Sequence, residues 1–183
     1  MDTKRISSRL EEALSTQMNV ELLQYHSYLS YGIWATDKVY DGIGNFLLRH
    51  SKEERDHAIK FMQYILNRGG KPKITAIEEP SKDPSSLSDC FNQVFRHEVD
   101  NTEKIYNLVN IALEEKDWAT WNFLQWFVKE QIEEETLAMD LIDKLKIAGG
   151  DQASDESLFS LDKFLKDAPD DADLAQNATS ENH

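Results

Sequence analysis

Apolar residues recur three and four positions apart through four long stretches of the chain, which is the spacing of one face of an α-helix. Breaks in this pattern fall at residues 37–44, 69–86 and 114–117. The pattern predicts four helices, at residues 7–36, 44–68, 86–114 and 118–148. Strand-like alternation occurs only in the short segment KITAI, residues 73–77. The predicted fold class is therefore all-α.

The lengths of the connections constrain how these helices pack. Short connections place consecutive helices antiparallel, whereas a long connection can carry the chain back along the bundle. Only the segment between the second and third helices is long. We therefore predict an antiparallel four-helix bundle with one long crossover between helices two and three.

The C-terminal region predicts one more helix. After a helix stop at Gly149, leucines recur at helical spacing within residues 158–165. This short fifth helix would dock on the bundle or on a neighbouring chain. Residues 168–183 are acidic and poor in large apolar side chains, which favours disorder. We expect one bundle domain at residues 1–167 and a disordered acidic tail at 168–183.

Carboxylates interrupt the apolar face of every long helix near its middle. Positions three and four apart define a seam on each helix that should face the bundle interior. The polar seam residues at this depth are Glu21, Glu54, His57, Glu98, Gln131 and Glu134. The same seams predict inward positions for Tyr25 and Tyr64. On the fourth helix, Glu130 and Glu133 would flank the seam and Glu135 would point to solvent.

This gathering of carboxylates predicts a bound cation. Buried ionised carboxylates repel one another and cost several kcal/mol each to desolvate without compensation. No lysine or arginine occupies a seam at that depth, so the compensating charge should be a metal. Carboxylates with one imidazole and no thiolate suit iron or manganese. Glu54 and His57 form a Glu-x-x-His pair on one helical face, and one carboxylate can bridge two ions.

The fourth helix departs from the symmetric two-metal pattern, in which Glu-x-x-His occurs twice. Gln131 offers a neutral amide where a bridging carboxylate would stand, and Glu134 replaces the second histidine. The second metal should therefore be held more loosely, which favours a transit site over a permanent cofactor.

Other candidate residues have an ordinary structural interpretation. Tyr28 and Trp126 are expected in the core, although either could stand next to the metals and relay an electron. Nothing in the sequence marks a second site around the remaining histidines, His26, His50, His97 and His183.

Composition limits the partners and the compartment. The 183 residues include 20 Lys and Arg against 34 Asp and Glu, a formal net charge of −14. Such a charge repels nucleic acid and anionic lipid and concentrates cations. The single cysteine, Cys90, cannot form an internal disulfide or a thiolate cluster. Neither a signal-type segment nor a membrane-length apolar run is present. We expect a cytoplasmic protein without nucleic-acid or membrane partners.

Four segments carry a specific combination of order and spacing: MNVELLQYHSYLS, FLLRHSKEERDHAIKFMQYI, FRHEVDNTEKI and FLQWFVKEQIEEE. In these segments the chain resembles the non-haem bacterial ferritins, over about residues 7–167. The resemblance implies a homo-oligomeric cage of twenty-four subunits, with the fifth helix near its four-fold axes. Such a cage oxidises ferrous iron with dioxygen or hydrogen peroxide and stores ferric oxyhydroxide inside.

The resemblance also implies roles for single residues. The first iron of a ferroxidase centre would be held by Glu21, Glu54 and His57. The second would be held by Glu54, Glu98 and Glu134, with Glu54 bridging. Gln131 matches an amide near this centre, and Tyr28 matches the tyrosine beside it. The ligands of a third iron site, toward the cavity, would be Glu53, Glu130, Glu133 and Glu134.

Two departures from related families limit what the resemblance implies. Arg55 stands where the bacterioferritins carry a haem-ligating methionine, so no haem is expected. Trp121 and Leu124 stand where animal ferritins line three-fold channels with carboxylates. The route by which iron enters is therefore not assigned to that axis.

Two other functions fit the same residues. A di-iron or di-manganese enzyme of peroxide-consuming or oxygenase type would share the ligands, although the missing second histidine speaks against it. A plain interaction bundle with a polar core would bind no metal. Metal would then fail to raise its melting temperature.

Overall fold

Five α-helices build the chain in the computed structural model, which describes residues 3–80 and 82–166. The helices are α1 (Ser8–Asp37), α2 (Asp41–Asn67), α3 (Leu87–Glu114), α4 (Trp118–Ala148) and α5 (Asp155–Lys166). A 3₁₀ turn at Gly150–Gln152 precedes α5. The described ranges contain no strand, and the KITAI segment has no regular structure. The all-α prediction is confirmed, and the predicted tail at 168–183 lies outside the described residues.

Two separate apolar cores establish the direction of each helix. The first, here called the far core, joins the start of α1 and of α4 to the end of α2 and of α3. Its fully buried members include Leu14, Phe61, Ile105 and Leu124. The second, the α5-side core, joins the opposite helix ends and the short helix. Its members include Tyr31, Leu47, Phe91, Leu141 and Leu161. The helices are therefore antiparallel within each pair, and the connection after α2 crosses the length of the bundle.

The crossover is attached to the middle of α1 by one side chain. The Asn19 amide nitrogen donates to the backbone oxygen of Lys73 at 2.7 Å. The Asn19 amide oxygen accepts from the backbone N–H of Thr75 at 2.9 Å. These bonds satisfy two backbone groups of this irregular segment and attach it to α1.

Three of the long helices begin with a cap supplied by the residue before them. The Ser7, Ser86 and Asp117 side chains accept from backbone N–H groups three residues later, as N-cap residues usually do. At the other end, α4 stops at Gly149, whose φ of 117° suits glycine. These signals explain why the predicted ends of α1, α3 and α4 agree closely with the structure.

The start of α2 was predicted three residues too late, because its cap comes from a distant helix. Tyr40 precedes α2 and makes no side-chain cap. Instead, the Asp162 carboxylate of α5 accepts from the backbone N–H of Gly42 at 2.9 Å and of Ile43 at 2.8 Å. A Cβ at Gly42 would lie only 1.8 Å from the Asp162 carbonyl oxygen. Only glycine at position 42 therefore allows α5 to pack this closely against the start of α2.

Two predicted seam positions are wrong by one residue. Tyr25 and Tyr64 are only half-buried. Their neighbours Gln24 and Ile65 take the inward positions, at 5% and 0% exposure. The three-or-four spacing allows either of two neighbouring residues at each turn, and here the residue three after Glu21 and the residue four after Phe61 face inward. In the part of the chain that the structure describes, no helix is long and apolar enough to cross a membrane.

Candidate metal centre

A layer of polar side chains separates the two apolar cores. Its members come from all four long helices and are at most 6% exposed. They are Gln17, Glu21, His50, Glu54, His57, Glu98, Asn101, Thr102, Gln131 and Glu134. Buried carboxylates are unfavourable unless their charge is compensated, so this layer is the candidate site. All six polar seam residues predicted from the sequence lie in it.

The first group of candidate ligands joins α1 to α2. One ligand atom each of Glu21, Glu54 and His57 lies within 4.8 Å of the others. His57 Nδ1 is 3.5 Å from Glu54 Oε2 and 4.0 Å from Glu21 Oε2. Neither His57 Nδ1 nor Glu54 Oε2 makes a hydrogen bond, although both atoms are buried. Buried polar atoms are rarely left unpaired. A cation between them would supply the partner, and this donor set fits iron.

Glu98 of α3 approaches this group from the opposite side of the bundle. The Tyr28 hydroxyl donates to Glu98 Oε1. Burial and the neighbouring charge of Glu134 raise the pKa of Glu98 to about 8. Burial and the charge of Glu98 also raise the pKa of Glu54. A divalent cation would therefore compete with protons for these two carboxyls.

His50 also lies in this polar layer, although the sequence marked no site around it and favoured an ordinary structural role. Its Nε2 lies 2.7 Å from Glu134 Oε2, and its Nδ1 lies 3.2 Å from Glu53 Oε2. Burial alone would lower the pKa of His50, but the carboxylates of Glu134 and Glu53 raise it to about 10. The pKa of His57 is also raised, by Glu130 and Glu54 against the effect of burial. Positive charge at this depth can therefore come from imidazoles as well as from metal.

The glutamates of α4 separate into different environments. Glu130 Oε1 lies 3.7 Å from His57 Nε2, and its side chain is 21% exposed. Glu133 points away: its side chain is 59% exposed and lies 3.3 Å from Lys129 Nζ. Glu135 was expected to point to solvent, which is wrong, because it is half-buried and accepts from Thr102 Oγ1 at 2.5 Å. The structure thus brings Glu130 and Glu134 to the site but not Glu133.

Side-chain amides form a network around the carboxylates, which the sequence analysis missed except for Gln131. Gln17 Nε2 lies 2.7 Å from Glu21 Oε1 and 2.6 Å from Asn101 Oδ1. Asn101 Nδ2 donates to Glu21 Oε2 at 3.4 Å and to Gln131 Oε1 at 3.3 Å. Gln131 Nε2 in turn lies 3.5 Å from Glu98 Oε2. Both oxygens of Glu21 therefore accept from amides. The helical positions of Gln17 and Asn101, one turn from Glu21 and Glu98, could have identified them.

Two aromatic side chains flank the candidate ligands. Tyr28 is fully buried beside Glu98 and presents its ring edge to His50, with ring centroids 5.3 Å apart. Trp126 is half-buried, and its ring centroid lies 5.5 Å from that of His57. Lys60 Nζ stands 2.9 Å from the Trp126 ring centroid. Tyr28 and Trp126 are therefore each adjacent to a candidate ligand.

The remaining positions named from the sequence lie away from this layer. Arg55 is exposed and pairs with Asp56 at 2.8 Å. Leu124 is fully buried in the far core, and Trp121 packs against that core. His97 stacks on Tyr31.

Comparison with known proteins agrees with this arrangement. Residues 11–148 match the family model of the ferritin-like domain. The chain is 39% identical over 154 residues to the bacterial non-heme ferritin of Shigella flexneri, covering 84% of this chain and 92% of that protein. It is 35% identical over 161 residues to the bacterial non-heme ferritin of Campylobacter jejuni, covering 88% and 95%.

A solved structure gives the same result. An open pore ferritin from the hyperthermophilic archaeon Archaeoglobus fulgidus superimposes with a TM-score of 0.85 and 39% identity, covering 90% of this chain and 99% of that one. The chain therefore belongs to the ferritin family. The predicted fold class and the predicted family are confirmed.

Proposed function

We propose that this protein stores iron by oxidising ferrous ions at the polar layer and depositing ferric oxyhydroxide inside a cage of identical subunits. One observation carries the proposal. Glu21, Glu54, His57, Glu98 and Glu134 converge from four helices between two apolar cores. Two of their buried atoms, Glu54 Oε2 and His57 Nδ1, have no hydrogen-bond partner. The names of the relatives support the same function.

The ligands divide into two adjoining sets for ferrous iron, which is the substrate. Glu21, Glu54 and His57 would bind one ion, and Glu54, Glu98 and Glu134 the other, with Glu54 shared. A bridging carboxylate holds two ions close enough to react together. Each ferrous ion gives up one electron, so a pair supplies the two electrons that reduce dioxygen to the level of hydrogen peroxide.

The surrounding residues prepare the ligands for this task. The amides of Gln17 and Asn101 hold both oxygens of Glu21 as acceptors. The Tyr28 hydroxyl orients Glu98. Outer hydrogen bonds of this kind usually determine how well a metal is bound. Gln131 is neutral, so the second iron-binding set of Glu54, Glu98 and Glu134 carries less negative charge than it would with a carboxylate at position 131. The weaker binding favours release of the ferric product toward storage.

The surface supports assembly into a homo-oligomer, which we propose to be a cage of twenty-four subunits in the cytoplasm. Several large apolar side chains are largely exposed in the single chain, which is typical of surfaces that another chain covers. They include Val39, Ile74, Ile147 and Phe159, at 80%, 74%, 87% and 71% exposure. In this proposal residues 1–167 form the subunit and residues 168–183 a tail.

Aerobic ferrous titration of the assembled protein tests the proposal. We expect a rapid rise in ferric absorbance for about two ions per subunit, followed by slower uptake into particles that migrate with the protein. Glu54→Ala and His57→Ala should abolish the rapid phase. Glu103→Ala, at an exposed position of α3, should leave it unchanged. Unchanged rapid oxidation in both site variants would overturn the assignment.

A further inference from the structure

One lysine side chain lies on the face of an indole ring beside the candidate ligands. Lys60 Nζ stands 2.9 Å from the ring centroid of Trp126, so an ammonium of α2 covers an indole of α4. A cation within about 6 Å of an indole centroid is attracted by the negative face of the ring. Both side chains are half-buried, so water screens this attraction less than it would at an exposed position.

The ammonium of Lys60 keeps its charge at neutral pH. Burial lowers the pKa of Lys60, and the carboxylate of Glu130 opposes this effect. A lysine titrates at about 10.4 when exposed, and only deep burial without a compensating charge brings its pKa close to neutrality. Lys60 is half-buried and has Glu130 nearby. The indole of Trp126 therefore carries a positive charge on its face at neutral pH.

The same indole contacts a candidate iron ligand. The ring centroid of Trp126 lies 5.5 Å from that of His57 with the planes 74° apart, which is an edge contact between the two rings. His57 Nδ1 in turn lies 3.5 Å from Glu54 Oε2. Indole is one of the side chains that lose an electron most readily. Trp126 is therefore placed where only an imidazole separates it from an oxidant that forms at the metal centre.

The proposed iron chemistry produces such an oxidant. Two ferrous ions reduce one dioxygen to hydrogen peroxide, which takes up two protons. Reduction of the peroxide to two water molecules takes two more electrons and two more protons. Two further ferrous ions supply these electrons when iron is abundant. When ferrous iron runs out, a neighbouring indole could supply an electron instead, and its ring would become a radical cation that reacts on to oxygenated products.

An ammonium on the ring face opposes this loss of an electron. It stabilises the neutral indole of Trp126, because the face of the ring is negative. It destabilises the radical cation, because two positive charges would then face each other across 2.9 Å in a half-buried position. The two effects have the same sign, so both make oxidation of Trp126 less favourable.

We propose that Lys60 protects Trp126 from one-electron oxidation while iron is oxidised, by holding its ammonium on the indole face. The inference rests on the proposed function, because iron oxidation is the source of the oxidant. The electrons that reduce peroxide then come from ferrous iron rather than from the protein. The ring beside His57 stays intact over many turnovers, and Lys60 acts through Trp126 without binding metal.

Two Lys60 variants of the assembled, metal-free protein test the effect of the charge. Lys60→Gln removes the charge and keeps a polar side chain of similar length, whereas Lys60→Arg keeps the charge over the ring. Each protein is exposed to photogenerated ruthenium(III) tris-bipyridine, a one-electron oxidant. Peptide mass spectrometry gives the oxidised fraction of Trp126 relative to that of Trp118, which is 62% exposed. We expect this ratio to rise about fivefold or more in Lys60→Gln and to change less than about twofold in Lys60→Arg.

The matched control is Lys52→Gln, which removes the same charge from an exposed position of α2. Its ratio should stay within about twofold of that of the unaltered protein, because exposed charges are screened. Circular dichroism and size measurement establish that each variant folds and assembles. An unchanged ratio in Lys60→Gln, or an equal rise in Lys60→Gln and Lys60→Arg, would overturn the proposal.

The same mass measurement after aerobic iron loading, with hydrogen peroxide in excess over ferrous iron, tests the protection during turnover. We expect oxidised Trp126 to accumulate in Lys60→Gln and to stay low in the unaltered protein and in Lys60→Arg. The outcome is separable from the proposed function. The expected metal-free ratios without rapid ferrous oxidation would contradict the ferroxidase and still support the protection of Trp126 by charge. Rapid ferrous oxidation with equal damage to Trp126 in all the proteins would contradict the protection alone.

Discussion

The Asp162 carboxylate of α5 caps the N-terminus of α2, since it accepts from the backbone N–H groups of Gly42 and Ile43. This contact joins the last described helix to the second one, across the α5-side core that contains Leu161 and Leu165. The first N–H groups of a helix have no partner within the helix and need one from outside. The short helix is thus part of the bundle's stability and not only an attachment to it.

Replacing this cap should destabilise the subunit. Asp162→Ala removes both acceptors, and loss of an N-cap typically costs about 0.5–2 kcal/mol. We expect the free energy of unfolding in guanidinium to fall by about that amount. Asp143→Ala, at an exposed position of α4, is the matched control and should change it by less than about 0.5 kcal/mol. Equal stabilities of the two variants would contradict the capping role.

Tyr28→Phe should weaken the second metal position in a pH-dependent way. The Tyr28 hydroxyl lowers the pKa of Glu98, which burial and Glu134 raise to about 8. Without the hydroxyl this pKa rises further, so more of the carboxyl is protonated at neutral pH and competes with metal. We expect several-fold weaker zinc binding near pH 7 and a smaller loss near pH 9.

The control for this change is Tyr31→Phe on the same helix. The Tyr31 hydroxyl donates to the neutral amide oxygen of Gln93 at 3.0 Å rather than to a candidate ligand. Zinc affinity should therefore stay nearly constant in this variant at both pH values. A pH-independent loss in Tyr28→Phe would show that the hydroxyl acts through packing alone.

Asn101→Ala should weaken the first metal position although Asn101 is not a proposed ligand. Asn101 links Glu21 to Gln131 and accepts from Gln17. Loss of an outer hydrogen bond to a metal ligand typically costs about 10–100-fold in metal affinity. Isothermal titration with zinc measures the change. Asn110→Ala, exposed on the same helix, should bind zinc like the unaltered protein.

The stability of the metal-stripped protein should fall as the pH rises from about 5 to about 10. Burial and Glu134 raise the pKa of Glu98 from 4.5 to about 8, so its stabilising protonation is lost through that range. The carboxylate of Glu134 raises the pKa of His50 from 6.5 to about 10, against the effect of burial. The stability that the protonated His50 contributes is complete below pH 6.5 and is lost as the pH rises through about 10. In both cases the folded chain binds more protons than the unfolded chain, so the slope is negative.

Thermal unfolding at several pH values with and without zinc measures this effect. Added zinc should flatten the decline, because the ions replace the displaced protons. A melting temperature that rises between pH 6 and pH 9 without metal would contradict the assigned shifts.

The helices could be predicted from the sequence because each signal was local. Ser7, Ser86 and Asp117 cap their own helices, and Gly149 ends α4. The start of α2 depends on Asp162, more than a hundred residues later in the chain, and no local pattern reveals such a contact. The predictions for Tyr25 and Tyr64 were wrong for a different reason, since spacings of three and four both fit a helical face and the sequence does not choose between them at a single turn.

The sequence predicted those residues of the candidate site whose side-chain type is unusual on an apolar helix face. Glu21, Glu54, His57, Glu98 and Glu134 stood out because charge on an apolar seam is unusual. His50 lies one helical turn before Glu53 on α2, but its contact with Glu134 becomes visible only when α2 and α4 pack together. Glu133 and Glu135 are adjacent to Glu134 in sequence, and only the rotation of α4 separates their environments.

Anomalous diffraction from crystals of the assembled protein soaked anaerobically in ferrous iron tests the central claim most directly. The account predicts two iron peaks in the polar layer, one among Glu21, Glu54 and His57 and one among Glu54, Glu98 and Glu134. Iron found only on the protein surface, with none between these carboxylates, would contradict it.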